Sequence, residues 1–335
     1  MALKKRHKIA AVILVNFLLF IIVFLVLELA IRMFFPEYIP VGNQTRQFWR
    51  YDSLLGWSHQ QGMTGTQRFA DEDVTISINQ HGLRDDEIGY ERNPKYRMLL
   101  LGDSFGWGFW IDKKDRFTEV IEREIDTLEF INSSVAGYST DQQLLYYKAA
   151  GYKYKPDAVV LLFCENDFLG NTVDRIYWYN KPYFEYSGDS LILQNVPVPQ
   201  LTSYQRLRKF LSGRSYLLSF ILKRLSFVNV QSFSYEDLVL DNASVITQKI
   251  LLDLKKRVST DNAELIVIAI PMPEGHRKAL QKITEKNQIK FIDLTPVFNK
   301  SNGYAFPNDG HWNAKGHQIA ASALINEINR GLLGK

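Results

Sequence analysis

The chain is poor in cysteine, in linker-like segments and in excess charge. Cys164 is the only cysteine among its 335 residues, which excludes an intrachain disulfide framework and a cysteine-rich zinc site. The formal net charge of +4 comes from Lys4, Lys5, Arg6 and Lys8; without them, 36 basic residues oppose 36 acidic ones. A body with no net positive charge argues against a nucleic-acid partner, and a hydrophobic content of 46% argues against intrinsic disorder.

The longest apolar run lies near the N-terminus. The stretch Ile9–Leu27 has no charged side chain, and at about 1.5 Å rise per residue it nearly spans a hydrocarbon core of about 30 Å. Apolar residues continue beyond Glu28 until Pro36. We expect a transmembrane anchor at residues 9–35, preceded by a basic tail at residues 1–8. A cleaved signal peptide is the main alternative, although no small-residue cleavage site follows the run, and a buried helix is another.

The basic tail predicts the orientation of this anchor. Lys and Arg residues next to a span favour the cytoplasmic side, and no positive excess follows the run. We therefore expect a single-pass membrane protein with a cytoplasmic N-terminus and an extracytoplasmic body, either periplasmic or at the cell surface.

Beyond the anchor, apolar strands alternate with amphipathic helices. A mixed segment at 40–95 contains one strand-like run, Val74–Ile78, and the regular alternation occupies 96–331. Strands are predicted at Tyr96–Leu101, Glu129–Val135, Ala158–Cys164, Leu265–Ile270 and Phe291–Leu294, and helices at Arg116–Ile125, Thr140–Tyr152, Ser244–Val258, Lys278–Lys286 and Asn313–Arg330. This order predicts a mostly parallel sheet with helices on both faces, whose ligands bind at the carboxyl ends of the strands.

An insertion at about 170–240 interrupts the alternation. It opens with an aromatic cluster formed by Tyr177, Trp178, Tyr179, Tyr183, Phe184 and Tyr186. We expect core packing for this cluster, with a sugar-binding platform as the alternative. The helix-like stretch Tyr204–Leu225 follows, with six basic residues and no acidic one. It could lie on an anionic membrane or polymer, but we favour a lid helix packed on the sheet.

Polar side chains follow several of the predicted strands. Ser104 lies in a strand-to-helix turn, Gly137 and Asn166 follow the next two strands, and Asp309 and His311 precede the terminal helix. Together these residue types suit acyl transfer. Ser104 would attack a carbonyl, His311 would take its proton, and Asp309 would orient the imidazole. The backbone N–H groups of Ser104 and Gly137 and the amide of Asn166 would stabilise the oxyanion.

At these residues the chain resembles the SGNH, or GDSL-type, serine hydrolase superfamily. The matching strings are Gly102-Asp103-Ser104, Gly137, Glu165-Asn166-Asp167, and Asp309 with His311. The resemblance implies a three-layer α/β/α, flavodoxin-like fold and esterase or acyltransferase activity without a metal or other cofactor. Within the superfamily it resembles membrane-anchored proteins that add or remove acetyl groups on polysaccharides.

The chain departs from the common pattern of this superfamily at one position. The usual last motif is Asp-x-x-His, but residue 308 is asparagine and the acid stands two residues before His311. The departure puts the role of Asp309 in question. The string Asn79–Arg84 resembles a segment found before the serine motif of membrane-anchored members, and no role is assigned to it.

Other readings of these residues remain open. Gly102-Asp103-Ser104 could be only a helix cap, and Asn166 could cap a loop between solvated Glu165 and Asp167. The string from Gly102 to Gly106 also fits a nucleophile elbow, but an acid and a histidine on one loop do not suit that fold. We expect Cys164 to be a buried strand residue and His317 to be structural.

These observations predict a membrane-tethered extracytoplasmic esterase or O-acyltransferase. Its expected substrate is an acylated envelope carbohydrate or a related ester, and its expected partners are an acyl donor or polysaccharide-export proteins. The aromatic insertion would form one wall of the substrate cleft. The alternative is a catalytically inactive protein that uses the same fold to bind or assemble a polysaccharide.

Overall fold

The protein forms two compact units. The computed structural model describes residues 2–35, 46–69, 72–177, 179–188, 190–212, 214–221, 237–307 and 309–332. The first unit comprises the described residues of Met1–Thr45 and Thr202–Ser234, and the second those of Arg46–Leu201 and Tyr235–Lys335.

The first unit contains the long N-terminal helix Ala2–Phe34. Its part His7–Phe34 has a mean hydropathy of 3.2 in its most apolar window and is long enough to cross a membrane. None of that window is buried in the protein. The length and composition of this helix are therefore those of a membrane anchor or of a signal sequence.

The same unit contains part of the insertion. The helix Ser203–Ser212 and helical residues 216–221 occupy the predicted stretch, and residues 222–236 lie outside the described residues. The side chains of Tyr204, Leu207 and Phe210 are 70%, 57% and 52% exposed. The expectation that this stretch is a lid helix packed on the sheet stays a prediction.

The second unit is built on a five-stranded parallel sheet, as predicted. Its strands are β5 (Tyr96–Leu101), β6 (Leu128–Asn132), β7 (Ala158–Phe163), β12 (Glu264–Ala269) and β13 (Lys290–Asp293). They lie in the order β13-β12-β7-β5-β6. Numbered along the chain, this is the 2-1-3-4-5 order of flavodoxin-like sheets.

Alternation along the strands divides the core between the two faces of the sheet. Leu99, Leu101 and Val159 belong to one buried cluster, whereas Leu100 and Val160 belong to another. Every residue of the central strand β7 is buried, because both faces are covered. The predicted three-layer α/β/α architecture is confirmed. The helices of this unit are Ser104–Trp107, Phe117–Glu124, Thr140–Ala149, Asn166–Gly170, Asp237–Thr260, Glu274–Lys286, Thr295–Phe298 and Ala314–Asn329, with 3-10 turns at Arg46–Phe48, Lys113–Asp115 and Gly151–Tyr154.

Strand β6 is shorter than predicted because Asn132 turns the chain. Its Oδ1 accepts the N–H of Ser134 at 3.1 Å, and its Nδ2 donates to the carbonyl of Gly106 at 2.8 Å. The loop from Ser133 onward therefore runs towards the helix that begins at Ser104.

Antiparallel hairpins lie outside the main sheet. Four strands of the segment predicted to contain β-structure pair in twos: β1 (Trp49–Asp52) with β2 (Gly56–His59), and β3 (Thr64–Phe69) with β4 (Glu72–Ser77). The first part of the insertion forms two more pairs: β8 (Arg175–Ile176) with β9 (Tyr179–Asn180), and β10 (Tyr183–Ser187) with β11 (Ser190–Gln194).

The aromatic cluster of the insertion is divided between core and surface. Tyr179 and Phe184 are buried, and the ring of Tyr179 contacts Trp49 and Trp57. Tyr177 and Tyr186 are exposed. Trp178 lies outside the described residues.

Candidate active site

Ser104 begins a short helix at the carboxyl end of β5. Asp103 caps this helix, because its Oδ1 accepts the N–H of Phe105 at 2.9 Å. A Cβ atom at Gly106 would stand 2.2 Å from Oγ of Ser134, so glycine is needed for this close approach. Tight packing behind the turn leaves the Ser104 side chain at the open edge of the sheet.

A tight turn brings Asp309 and His311 to the same edge. Ala305 and Trp312 form an antiparallel bridge, and Gly310 between the two polar residues has a left-handed φ of 89°. Oδ1 of Asp309 lies 2.5 Å from Nδ1 of His311, and it also accepts the backbone N–H of His311 at 3.2 Å. The acid therefore reaches the imidazole with only one residue between them. Asn308 lies outside the described residues.

The imidazole joins this turn to the serine. Nε2 of His311 lies 2.7 Å from Oγ of Ser104, although the two residues are 207 positions apart. The geometry is that of a nucleophile, a base and an orienting acid in one hydrogen-bonded chain. Burial acts to raise the pKa of Asp309, but the hydrogen bond and charge of His311 lower it overall, which keeps the carboxylate ionised.

Two phenyl rings hold the imidazole in place. Phe109 stacks on His311 with ring centroids 4.7 Å apart, and Phe105 lies 5.0 Å away. The sequence did not single out either residue. Phe105 and Phe109 stand one and five residues after Ser104. These positions indicate a contact with His311 only when the serine helix is known to face the histidine.

The expected oxyanion donors are placed differently. Asn166 lines the same cavity as Ser104 and His311, and its Nδ2 donates to the hydroxyl of Tyr177 at 3.1 Å. Gly137 has a left-handed φ of 84°, and its Cα faces the rings of Tyr177 and Trp57. Gly137 is not among the residues that line the cavity. Tyr177 does line the cavity, and it also has a positive φ of 47°. From the sequence, this residue was noted only as a member of the aromatic cluster.

The cavity has a volume of about 590 Å³ and is open to solvent. It lies at the carboxyl ends of the parallel strands, as predicted for this kind of sheet. Its walls come from the segments that follow β5, β7, β12 and β13 and from the Tyr177 turn. Its lining comprises Asp103, Ser104, Phe105, Cys164, Glu165, Asn166, Tyr177, Ile270, Pro271, Met272, Pro273, Thr295, Asn299, Asp309, Gly310 and His311. The lining combines polar and apolar side chains, which suits an ester substrate.

Carboxyl groups directly behind the cavity are buried. Burial raises the pKa of Asp103 to about 6 and raises that of Asp167 well above its ordinary value. Asp167 accepts the N–H of Cys164 at 2.8 Å and the hydroxyl of Thr140 at 3.1 Å. It is therefore buried rather than solvated, and it holds the loop that carries Asn166.

The string Asn79–Arg84 now has a structural role. The guanidinium of Arg84 is buried and donates to the carbonyls of Trp107, Gly108 and Ile111 at 2.5–2.8 Å. Trp107 is the last residue of the helix of Ser104, and Gly108 and Ile111 follow it. Arg84 thus supports the serine helix from behind, a role that required the fold to be known.

Cys164 and His317 are buried as expected, although Cys164 lies one residue beyond the end of β7 rather than in the strand. Cys164 is buried, and burial raises the pKa of its thiol well above the ordinary value. His317 is buried, and its Nδ1 accepts the N–H of Phe117 at 3.3 Å. Burial lowers the pKa of His317 to about 3. Within the described part of the chain, no group of three or more His, Cys, Asp or Glu residues could hold a metal ion.

Comparison with known proteins gives remote structural similarity. No protein-family model and no curated protein matches the chain. Among solved structures it is similar to TesA (10% identity, 70% of this chain and 98% of that chain, TM-score 0.45) and to the psychrotrophic esterase EstA from Pseudoalteromonas sp. (13%, 71% and 99%, 0.45). It is also similar to a lipolytic G-D-S-L family protein from Veillonella parvula (13%, 70% and 98%, 0.41). At these identities and TM-scores, the likenesses decide neither the family nor the chemistry of this chain.

Proposed function

We propose that the protein is a serine ester hydrolase or O-acyltransferase. The hydrogen-bonded chain from Ser104 through His311 to Asp309, beside an open cavity, carries the proposal. If Ser104 served only to cap a helix, it would not need an imidazole 2.7 Å from its hydroxyl and a carboxylate bound to that imidazole. Because each member has its partner in place, catalysis is favoured over a purely binding role.

The reaction proceeds through an acyl-enzyme. Oγ of Ser104 attacks the ester carbonyl carbon while its proton passes to Nε2 of His311. The tetrahedral intermediate then collapses, the ester C–O bond breaks, and His311 returns the proton to the leaving alkoxide. A water molecule, or the hydroxyl of an acceptor sugar, next attacks the acyl carbon and gives its proton to His311. As the second intermediate collapses, the bond between Oγ of Ser104 and the acyl carbon breaks, and His311 returns the proton to Oγ. An acid or a new ester is released.

Asn166 is the side-chain donor for the oxyanion. Its amide at present donates to the hydroxyl of Tyr177, so a substrate oxygen would replace that hydroxyl as the acceptor. The backbone N–H of Ser104 is the second donor, at the start of the serine helix. Gly137 remains the proposed third donor.

The N-terminal helix is proposed as an uncleaved anchor with the body outside the cytoplasm. The carboxylate of Glu28 accepts the backbone N–H groups of Tyr216 and Leu217, both at 2.9 Å. Removal of a signal peptide that included residue 28 would leave these two groups without their partner. The four basic residues before the span support a cytoplasmic N-terminus.

The proposed substrate is a small acyl ester, such as an acetyl ester, on an envelope carbohydrate. It rests on the proposed location and on the superfamily resemblance of the motifs. Exposed Tyr177 at the cavity supports it, because aromatic rings can pack against sugar rings.

Labelling of Ser104 tests the mechanism. The full chain in detergent is treated with an active-serine phosphonate, and the adduct is located by mass spectrometry while hydrolysis of a chromogenic acetyl ester is followed. We expect one adduct on Ser104 and no hydrolysis by Ser104→Ala. Ser259→Ala, which changes an exposed serine on the helix Asp237–Thr260, is the matched control. Undiminished hydrolysis by Ser104→Ala would exclude the mechanism.

Two further measurements separate the remaining alternatives. Adding an acceptor alcohol or oligosaccharide shows whether the acyl group passes to it faster than to water, which identifies a transferase. Retained polysaccharide binding with no phosphonate adduct would instead identify the inactive binding or assembly protein.

A further inference from the structure

The first unit contains a surface that the proposed catalytic function does not use. Residues 203–221, hereafter the juxtamembrane segment, comprise the helix Ser203–Ser212 and the helical residues 216–221. This segment has apolar and basic residues but no acidic residue. We propose that it lies in the interface of an anionic phospholipid bilayer beside the N-terminal helix. The inference rests on the proposed membrane tether but not on the chemistry of Ser104.

Contacts with the N-terminal helix fix the segment near the end of the span. The carboxylate of Glu28 accepts the hydroxyl of Ser215 at 2.8 Å as well as the backbone N–H groups that begin the helical residues 216–221. Arg32 pairs with Glu28 at 3.0 Å, and its guanidinium lies 4.8 Å from the ring centre of Tyr216. Glu28 directly follows the uncharged stretch Ile9–Leu27, so these contacts place the segment where that stretch ends.

The contacts also explain why a charged residue stands in this helix. Glu28 and Ile31 are the buried residues of the described part of the N-terminal helix. An acid at this depth is expensive in lipid unless it is paired, and here backbone N–H groups, a hydroxyl and an arginine surround it. The helix and the segment therefore form one local structure rather than an anchor with a separate loop.

The helix Ser203–Ser212 has an exposed apolar face. Tyr204, Leu207 and Leu211 follow one another at helical spacing, with Phe210 beside them, and all four are exposed. Such a face, uncovered in water, calls for an apolar partner. A bilayer is already present at this position if the N-terminal helix spans it.

The basic residues of the juxtamembrane segment favour a bilayer that contains anionic lipid. Arg206 is exposed beside the apolar face, and the guanidinium of Arg214 lies 3.8 Å from the ring centre of Phe210. With no acidic residue in the segment, these cations are neutralised best by lipid phosphates and anionic headgroups. An apolar face flanked by basic residues is the pattern of interfacial helices.

Depth measurements in bilayers test this proposal. The full chain is reconstituted into vesicles of phosphatidylcholine with or without phosphatidylglycerol, and an environment-sensitive fluorophore is attached at Leu207→Cys. Gln205→Cys, which lies about 200° around the helix from position 207, is the matched control. Unsubstituted protein corrects for labelling of buried Cys164. We expect quenching by nitroxide lipids at position 207 to exceed that at position 205, most strongly with phosphatidylglycerol.

A charge reversal sharpens the test. Arg206→Glu combined with Arg214→Glu should weaken association of position 207 with the anionic bilayer on the order of tenfold or more. The N-terminal helix should stay resistant to carbonate extraction in this variant, which shows that the tether is intact. If an aqueous quencher reaches the fluorophore at position 207 while the N-terminal helix remains inserted, the inference is overturned but the tether is not. Shielding from both lipid and aqueous quenchers overturns it in favour of a protein partner, and release of the whole chain by carbonate overturns the tether as well.

Discussion

Two polar regions of the second unit differ in exposure and in the state of their carboxyl groups. At the cavity, His311 and Asp309 are each 22% exposed, and the pKa of Asp309 is lowered because the hydrogen bond from His311 outweighs burial. Behind it, Asp141 and Lys181 are fully buried, and burial raises the pKa of Asp141. The outer region keeps a charge near solvent, where a proton can be exchanged. The inner region binds backbone groups and positions loops.

This difference separates activity from stability. A substitution in the outer region should reduce turnover with little effect on folding, because its side chains are partly exposed and lie on a turn. A substitution in the inner region should reduce the free energy of unfolding and leave the folded molecules active.

His311→Ala should produce the largest effect on activity. It removes the base that takes the proton of Ser104, and losses of about 10⁶-fold in kcat accompany removal of such a base in serine hydrolases. Ester hydrolysis under saturating substrate measures kcat, and the melting temperature in detergent is recorded alongside. If the variant loses its folded structure as well as its activity, His311 belongs with the side chains of the inner region that stabilise the fold.

Asp309→Asn should reduce kcat by about 10⁴-fold, because the amide no longer stabilises the imidazolium. The substitution keeps the shape of the side chain, and Asp309 is the acid that reaches Nδ1 of His311. Retention of most activity would show that the short Asp-x-His spacing orients the ring without needing the charge.

Asn166→Ala should cost about 10²- to 10³-fold in kcat, the usual effect of losing one oxyanion donor. Asn299→Ala is the matched control, since Asn299 is an exposed amide lining the same cavity. Parallel assays of the two variants distinguish them. An equal small loss in both would mean that the oxyanion is stabilised by backbone groups alone.

Lys181→Met should act on stability. Nζ of Lys181 binds the carboxylate of Asp141 and the carbonyl of Gly170, so its removal leaves a buried acid unpaired, at a cost of about 3–5 kcal/mol. Lys148→Met, which breaks the half-exposed pair with Asp253, should cost under about 1 kcal/mol. Denaturant unfolding in detergent compares the two. Similar small losses would show that the inner pair is replaceable.

The fold was largely predictable because burial on both faces makes a parallel strand a continuous apolar run. Strand β5 begins and ends where its sequence predicts, and the order of strands and helices follows from the same alternation. The sequence left the partner of residues 203–221 open, because an apolar face indicates a neighbour without saying whether it is protein or lipid.

The site was predictable where chemistry needs particular residue types. Ser104, His311 and Asp309 were identified by their positions after strands, and the structure brings them together. No role was predicted for Arg84 or Phe109, because a guanidinium that binds carbonyls and a ring that stacks on imidazole carry no sequence signature. Their roles depend on which loops become neighbours.

Asp103→Asn probes the boundary between the two regions through pH. Burial raises the pKa of Asp103 to about 6 in the folded protein, whereas 3.8 is its ordinary value. The folded state therefore holds this proton more tightly than the unfolded state does.

The contribution of this proton to stability is complete below the ordinary pKa and is lost as pH rises through about 6. Asparagine cannot ionise, so the stability of the variant relative to the original should rise by about 2 kcal/mol between pH of about 4 and about 7. Unfolding curves across this range measure the difference. Groups common to both proteins cancel in it, apart from those that interact with the charge of Asp103, such as His311 and Asp167. A difference independent of pH would mean that Asp103 is ionised throughout and belongs with Asp309 in the outer region.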